Sequence, residues 1–116
     1  MNGYERATKE VVPAARLAIA RELKARYNMT EGNIAKILGV AQAAVSKYLN
    51  GNYSETVSAA AGHISMELVN RHIEQIAKGN QEELKKLVCT ICWTMNRFDC
   101  RFSGADAAVA EKAKEA

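Results

Sequence analysis

The sequence lacks most of what marks a membrane protein, a secreted protein or an enzyme. Nowhere does it reach the roughly 18 consecutive apolar residues that a membrane-spanning helix needs. Its opening MNGYERATKE carries charges of both signs and no apolar centre, so it does not read as a signal peptide and a cytoplasmic protein is expected. There is no Gly-rich phosphate loop, no nucleophile–base pair and no CxxC at a strand-to-helix turn. No catalytic residue is expected, and a small redox or electron-transfer enzyme is only the runner-up among unrelated function classes. Proline occurs once, at Pro13, and cysteine three times. An odd count of thiols without a secretion signal argues against a disulfide framework and points to free thiols, redox chemistry or metal. No internal repeat, low-complexity block or strand pattern is present.

What is there suits one small domain. Hydrophobic residues at 48% and charged residues at 25% allow a useful core in 116 residues. The net charge of +3 is mild, but it is unevenly spread. Between residues 13 and 50 the cations Arg16, Arg21, Lys24, Arg26, Lys36 and Lys47 face only Glu22 and Glu31. A basic N-terminal half is the electrostatic footprint expected for a polyanion partner.

The periodicity is helical throughout, which predicts an all-α fold. Pro13 suits a helix N1 position and pushes Val12 towards an extended conformation, so a first helix should begin at 13, with Ala15, Ala18, Ile19 and Leu23 on one face. Thr30 is a good N-cap for a second helix with Ile34, Ala35 and Leu38 on its apolar stripe. Gly39 interrupts it. Ala41–Leu49 reads as a short helix ended by Asn50-Gly51-Asn52. Residues 51–58 read as a loop. Leu68, Val69, His72, Ile73 and Ile76 then mark an amphipathic helix stopped by Gly79-Asn80. Leu84, Leu87, Val88, Ile91, Cys92 and Met95 mark another over 81–96. The domain organisation expected is an arm at 1–12, a DNA-binding unit at 13–57, a helical dimerisation and cysteine segment at 58–104 and a charged, Ala-rich tail at 105–116.

Ala35, Gly39 and Val45 stand where a helix-turn-helix needs a small residue, a turn residue tolerant of positive φ and a buried aliphatic. TEGNIAKILGVAQAAVSKYLNG thus resembles the phage-repressor-type (Xre-like) helix-turn-helix, over roughly residues 13–53, including the Asn50-Gly51 that closes the second helix. The CTIC run with its later cysteine resembles the C-terminal part of a group of small archaeal predicted transcription regulators. The resemblance implies that the second helix of the motif reads the major groove of duplex DNA. Gln42 and Ala43 then match the first reading positions, and Ser46 and Lys47 those one turn later. Gln pairs with adenine, an alanine methyl meets a thymine methyl, and Lys reaches guanine or phosphate. Thr30, Asn50 and Asn52 are the candidate phosphate contacts. Binding of a protein partner by the same module, as an adaptor, is the alternative. Residues 51–58 contain no basic residue, although the family often has some there.

One such module covers few base pairs, so regulators usually pair two on a palindromic operator. The 63–78 and 81–96 helices offer apolar faces for a homodimer, or for an intramolecular core. Cys89 and Cys92, about 60° apart on a helix, share one face, and a return loop would bring Cys100 over them. Three thiolates suit an iron–sulfur cluster or another soft metal, with Arg97 and Arg101 lowering thiol pKa values. Zinc is an alternative that requires a fourth ligand, from His63, His72, Asp99 or another subunit. A thiol–disulfide switch, or simple packing of Cys92 beside Ile91 and Met95, also fits the pattern. With a cluster, the chain would be a sensor of iron or redox state.

Overall fold

In the computed structural model, which describes residue 5 and residues 7–96, the chain is all-helical, with six α-helices and no strand among the described residues. A π-turn over Ala7–Val11 runs directly into α1, Val12–Tyr27. Then come α2 (Glu31–Leu38), α3 (Gln42–Leu49), α4 (Glu55–Gly62), α5 (Met66–Ala77) and α6 (Gln81–Asn96). No helix among these residues is long and apolar enough to cross a membrane.

The first helix is the hub. Val12, Ala14, Ala15, Leu17, Ala18, Ile19, Ala20 and Leu23 are all buried, and α1 packs against each of the other five helices. Its alanines let neighbouring helices approach closely. Its Leu and Ile side chains supply the apolar area, each worth roughly 1.5–3 kcal/mol when fully buried. Ile34, Val45, Val69, Ile73, Ile76, Leu87 and Ile91 complete a single apolar core.

Several expectations meet the structure with a difference. Val12 is helical and not extended, and Val11 lies at φ −73°, ψ −48°. Both valines are buried, which favours continuing the helix over the local preference before proline. The wide π-turn falls where the Pro13 ring would otherwise crowd the carbonyl four residues back. Residues 55–62, expected as loop at their start, form α4. Ser54 caps it by accepting the Val57 N–H at 3.2 Å, and Val57 is buried beneath it. The amphipathic helix expected over 63–78 is α5, which starts only at Met66; a separate α4 precedes it, and between them, at His63–Ser65, Ser65 accepts the Leu68 N–H at 3.2 Å. Helix α4 also crosses position 57/58, where a domain boundary was expected, and α1 contacts α5 and α6 as well as α2 and α3.

Two left-handed glycines frame α3. Gly39 (φ 70°) ends α2, and the Val40 N–H returns to the Ala35 carbonyl at 3.1 Å. Gly51 (φ 76°) ends α3, with the Asn52 N–H on the Lys47 carbonyl at 2.9 Å. This backbone conformation carries no penalty for glycine and a clear one for residues with a Cβ.

Candidate functional site

Helix α3 presents two distinct faces. Val45 is fully buried, and Ala44, Tyr48 and Leu49 are half-buried around it. Gln42, Ala43, Lys47 and the capping Asn50 are exposed on the opposite arc, with Ser46 half-buried between them. At 100° per residue these five positions span about 140° of the helix. The helix carries no carboxylate. No side chain caps its N-terminus, whereas Thr30, Ser54, Ser65 and Asn80 cap the first turns of α2, α4, α5 and α6.

Of the expected site residues, Gln42, Ala43, Ser46, Lys47 and Asn50 share this arc, and some of the polar groups of the set are already in use. Thr30 accepts the Asn33 N–H at 3.1 Å, so its oxygen holds the start of α2 and its O–H remains a donor. Asn50 Nδ2 donates to Ser46 Oγ at 3.2 Å, which ties the two side chains together. Gln42 Oε1 lies 3.7 Å from where a Cβ on Gly32 would stand, so the first turns of α2 and α3 lie side by side. Asn52 is exposed just past the end of α3.

One cation near this surface had no local signal in the sequence. The loop after α3 has no basic residue, but Arg21 of α1 reaches it. Its guanidinium hydrogen-bonds the Tyr53 hydroxyl and lies 5.4 Å from the ring centroid. The two residues are 32 positions apart, so only the packing of α1 against the end of α3 brings them together. Lys24, Lys36 and Lys47 are exposed and enter no ion pair among the described residues, whereas Arg26 is paired with Glu22 at 3.1 Å. In the second half of the described chain, from 55 to 96, the acids Glu55, Glu67, Glu74, Glu82 and Glu83 face Arg71, Lys78, Lys85 and Lys86. The basic excess stays with α1–α3.

Cys89 and Cys92 are 2% and 0% exposed, within the same apolar core as Leu87 and Ile91. Cys100, Arg97, Phe98, Asp99 and Arg101 lie outside the described residues. No group of three metal-ligating side chains occurs among the described residues. Of the candidate fourth ligands, His63 is exposed at the end of α4. His72 is engaged elsewhere, since its Nδ1 lies 2.6 Å from Glu83 Oε2 and links α5 to α6. That hydrogen bond, aided by the charges of His72 and Lys86, holds the Glu83 carboxyl below its ordinary pKa against the opposing effect of burial. Lys86 Nζ stands 3.6 Å from the other carboxylate oxygen. The apolar faces of α5 and α6, which suggested a dimer interface, are turned into this chain's own core through Val69, Ile73, Ile76, Leu84 and Leu87.

No family model, curated protein or solved structure matches this chain.

Proposed function

We propose that the chain is a sequence-specific, duplex-DNA-binding transcription regulator that uses α2 and α3 as a helix-turn-helix, with α3 in the major groove. The observation that carries this reading is the exposed arc of α3: Gln42, Ala43, Ser46 and Lys47, free of carboxylates, on a helix anchored by Val45 and turned by Gly39. Short side chains let the helix approach base edges, while Gln and Lys provide donors that read them. Thr30, Asn50, Asn52 and Arg21 would then meet phosphates on either side, positioning the helix without reading sequence. The unpaired lysines of α1–α3 add the long-range attraction, which makes binding salt-sensitive.

The test is selection of duplexes from a random pool, followed by anisotropy titration of the winner. Lys47→Ala should cost about 1–3 kcal/mol of binding and Gln42→Ala should relax the preference at one base pair. Both variants should keep the parent's melting temperature, because both side chains are exposed. Enrichment of no duplex, or variants that bind like the parent, would remove the assignment.

One observation favours a second reading, an adaptor that binds a protein through the same face. Helix α3 has a single cation, and residues 51–58 have none. A protein partner captured through Gln42 and Lys47, with no duplex selected, would establish that alternative.

Sensing and dimerisation are separate proposals. A cluster on Cys89, Cys92 and Cys100 would draw two thiols out of the apolar core. A homodimer would need a surface other than the buried faces of α5 and α6. Iron and sulfide analysis after anaerobic purification, with Cys89→Ala as control, decides the first, and light scattering decides the second.

A further inference from the structure

Gln81 opens α6, yet its side chain serves another helix. Its Nε2 donates to the Ile37 carbonyl at 2.9 Å, across 44 positions of sequence. Ile37 lies in the last turn of α2, where carbonyls lack an intrahelical partner. The turn that follows does not supply one, because the Gly39 and Val40 N–H groups both return to the Ala35 carbonyl. A donor from α6 therefore completes the end of α2, two residues before Gly39 launches α3.

The group that reaches across is itself held. Asn80 Oδ1 accepts the Glu82 and Glu83 N–H groups at 3.1 and 3.2 Å, which fixes the first turn of α6. Glu83 in that turn binds His72 of α5, and α5 and α6 both pack on α1. Helix α2, in contrast, rests mainly on α1 and α3. Helix α3 has eight residues, and Val45 is the one fully buried among them. The direction of so short a helix depends on the turn that starts it.

We propose that Gln81 is a positioning residue for α3. By holding the Ile37 carbonyl it fixes where α2 ends, and so the direction in which Gly39 sends the exposed arc of Gln42, Ala43, Ser46 and Lys47. The consequence for binding rests on α3 reading duplex DNA; the placement of α3 is a property of the free protein. The α5–α6 hairpin, which carries no reading residue, thereby determines how well α3 fits a groove.

The experiment compares the full chain with Gln81→Met, similar in shape but without the donor, and with Gln81→Lys, which restores a donor on a chain of similar length. Residual dipolar couplings of the backbone amides report the direction of each helix in the free protein. In Gln81→Met the couplings of residues 36–49 should depart from the parent orientation while those of α1, α5 and α6 still fit it. Gln81→Lys should return them towards parent values. Against a selected duplex, Gln81→Met should bind about 2- to 10-fold more weakly, the size expected from one net hydrogen bond. Its affinity for a random duplex should not change, since non-specific binding is set by phosphate contacts and no charge is removed. Equal binding of the selected duplex by parent and Gln81→Met, or α3 couplings that stay on the parent fit, would overturn the inference. So would an equal loss on selected and random duplexes, or couplings that change in every helix, because either means a general loosening of the fold. Failure to select any duplex removes the DNA reading instead, and the couplings alone then decide whether Gln81 places α3.

Discussion

At Gly39 the backbone stands at φ 70°, and a Cβ added there would meet nothing within 4 Å. The glycine is thus required by conformation and not by space. Gly39→Ala should destabilise the fold by about 1–2 kcal/mol, the cost of a left-handed residue bearing a Cβ, as read by urea denaturation. An unchanged midpoint would mean the turn relaxes out of this conformation. Glu83 makes a prediction of a different kind. A carboxyl whose folded pKa is depressed stabilises the fold above its unfolded pKa, and that contribution disappears as pH falls through the folded value. Glu83→Gln should therefore be less stable than the parent at neutral pH, by up to about 1 kcal/mol for a half-exposed ion pair. The gap should close at acid pH, below the ordinary glutamate value of 4.5. A gap that is constant across this range would show that the His72 link contributes nothing. For Cys92, fully buried among apolar side chains, Cys92→Ser should cost about 1–3 kcal/mol by burying a hydroxyl. Equal stability would imply that the site is wetter than its burial indicates.

At the scale of elements, legibility follows the strength of local signals. Helix α6 spans 81–96 as its stripe of Leu84, Leu87, Val88, Ile91, Cys92 and Met95 implies, because a long apolar face has one solution. Helix α2 begins after Thr30 and ends at Gly39, both cap signals visible in sequence. Helix α4 was obscured. It buries one large side chain, Val57, so it has almost no stripe, and its start depends on Ser54, one serine in a polar stretch. The prediction follows directly: Ser54→Ala should cost about 1 kcal/mol, with amide exchange rising first in 55–62. Exchange that rises equally across the molecule would show that α4 has no independent opening. The same weakness hid the break at His63–Ser65. Continuous apolar content on both sides masks a cap of three residues.

At the scale of the whole molecule, the basic excess of residues 13–50, visible in the sequence, becomes one region built on α1, α2 and α3. The face of α3 was legible too, since Gln42, Ala43 and Lys47 alternate with the buried Val45 at helical spacing. Arg21 was not, because its meeting with Tyr53 depends on tertiary packing over 32 positions. Nor was the fate of the α5 and α6 faces, because a periodic stripe does not say whether its partner lies in the same chain. The structure buries them against α1 and against each other, in a core that joins both halves of the chain. The central claim, duplex reading by α3, is tested most directly by titrating a selected duplex with parent and Lys47→Ala at several salt concentrations. The account predicts parent affinity that falls steeply with salt, and a variant that binds more weakly with a slope reduced by about one ion. No selectable duplex, or parent and variant curves that coincide at every salt concentration, would contradict it.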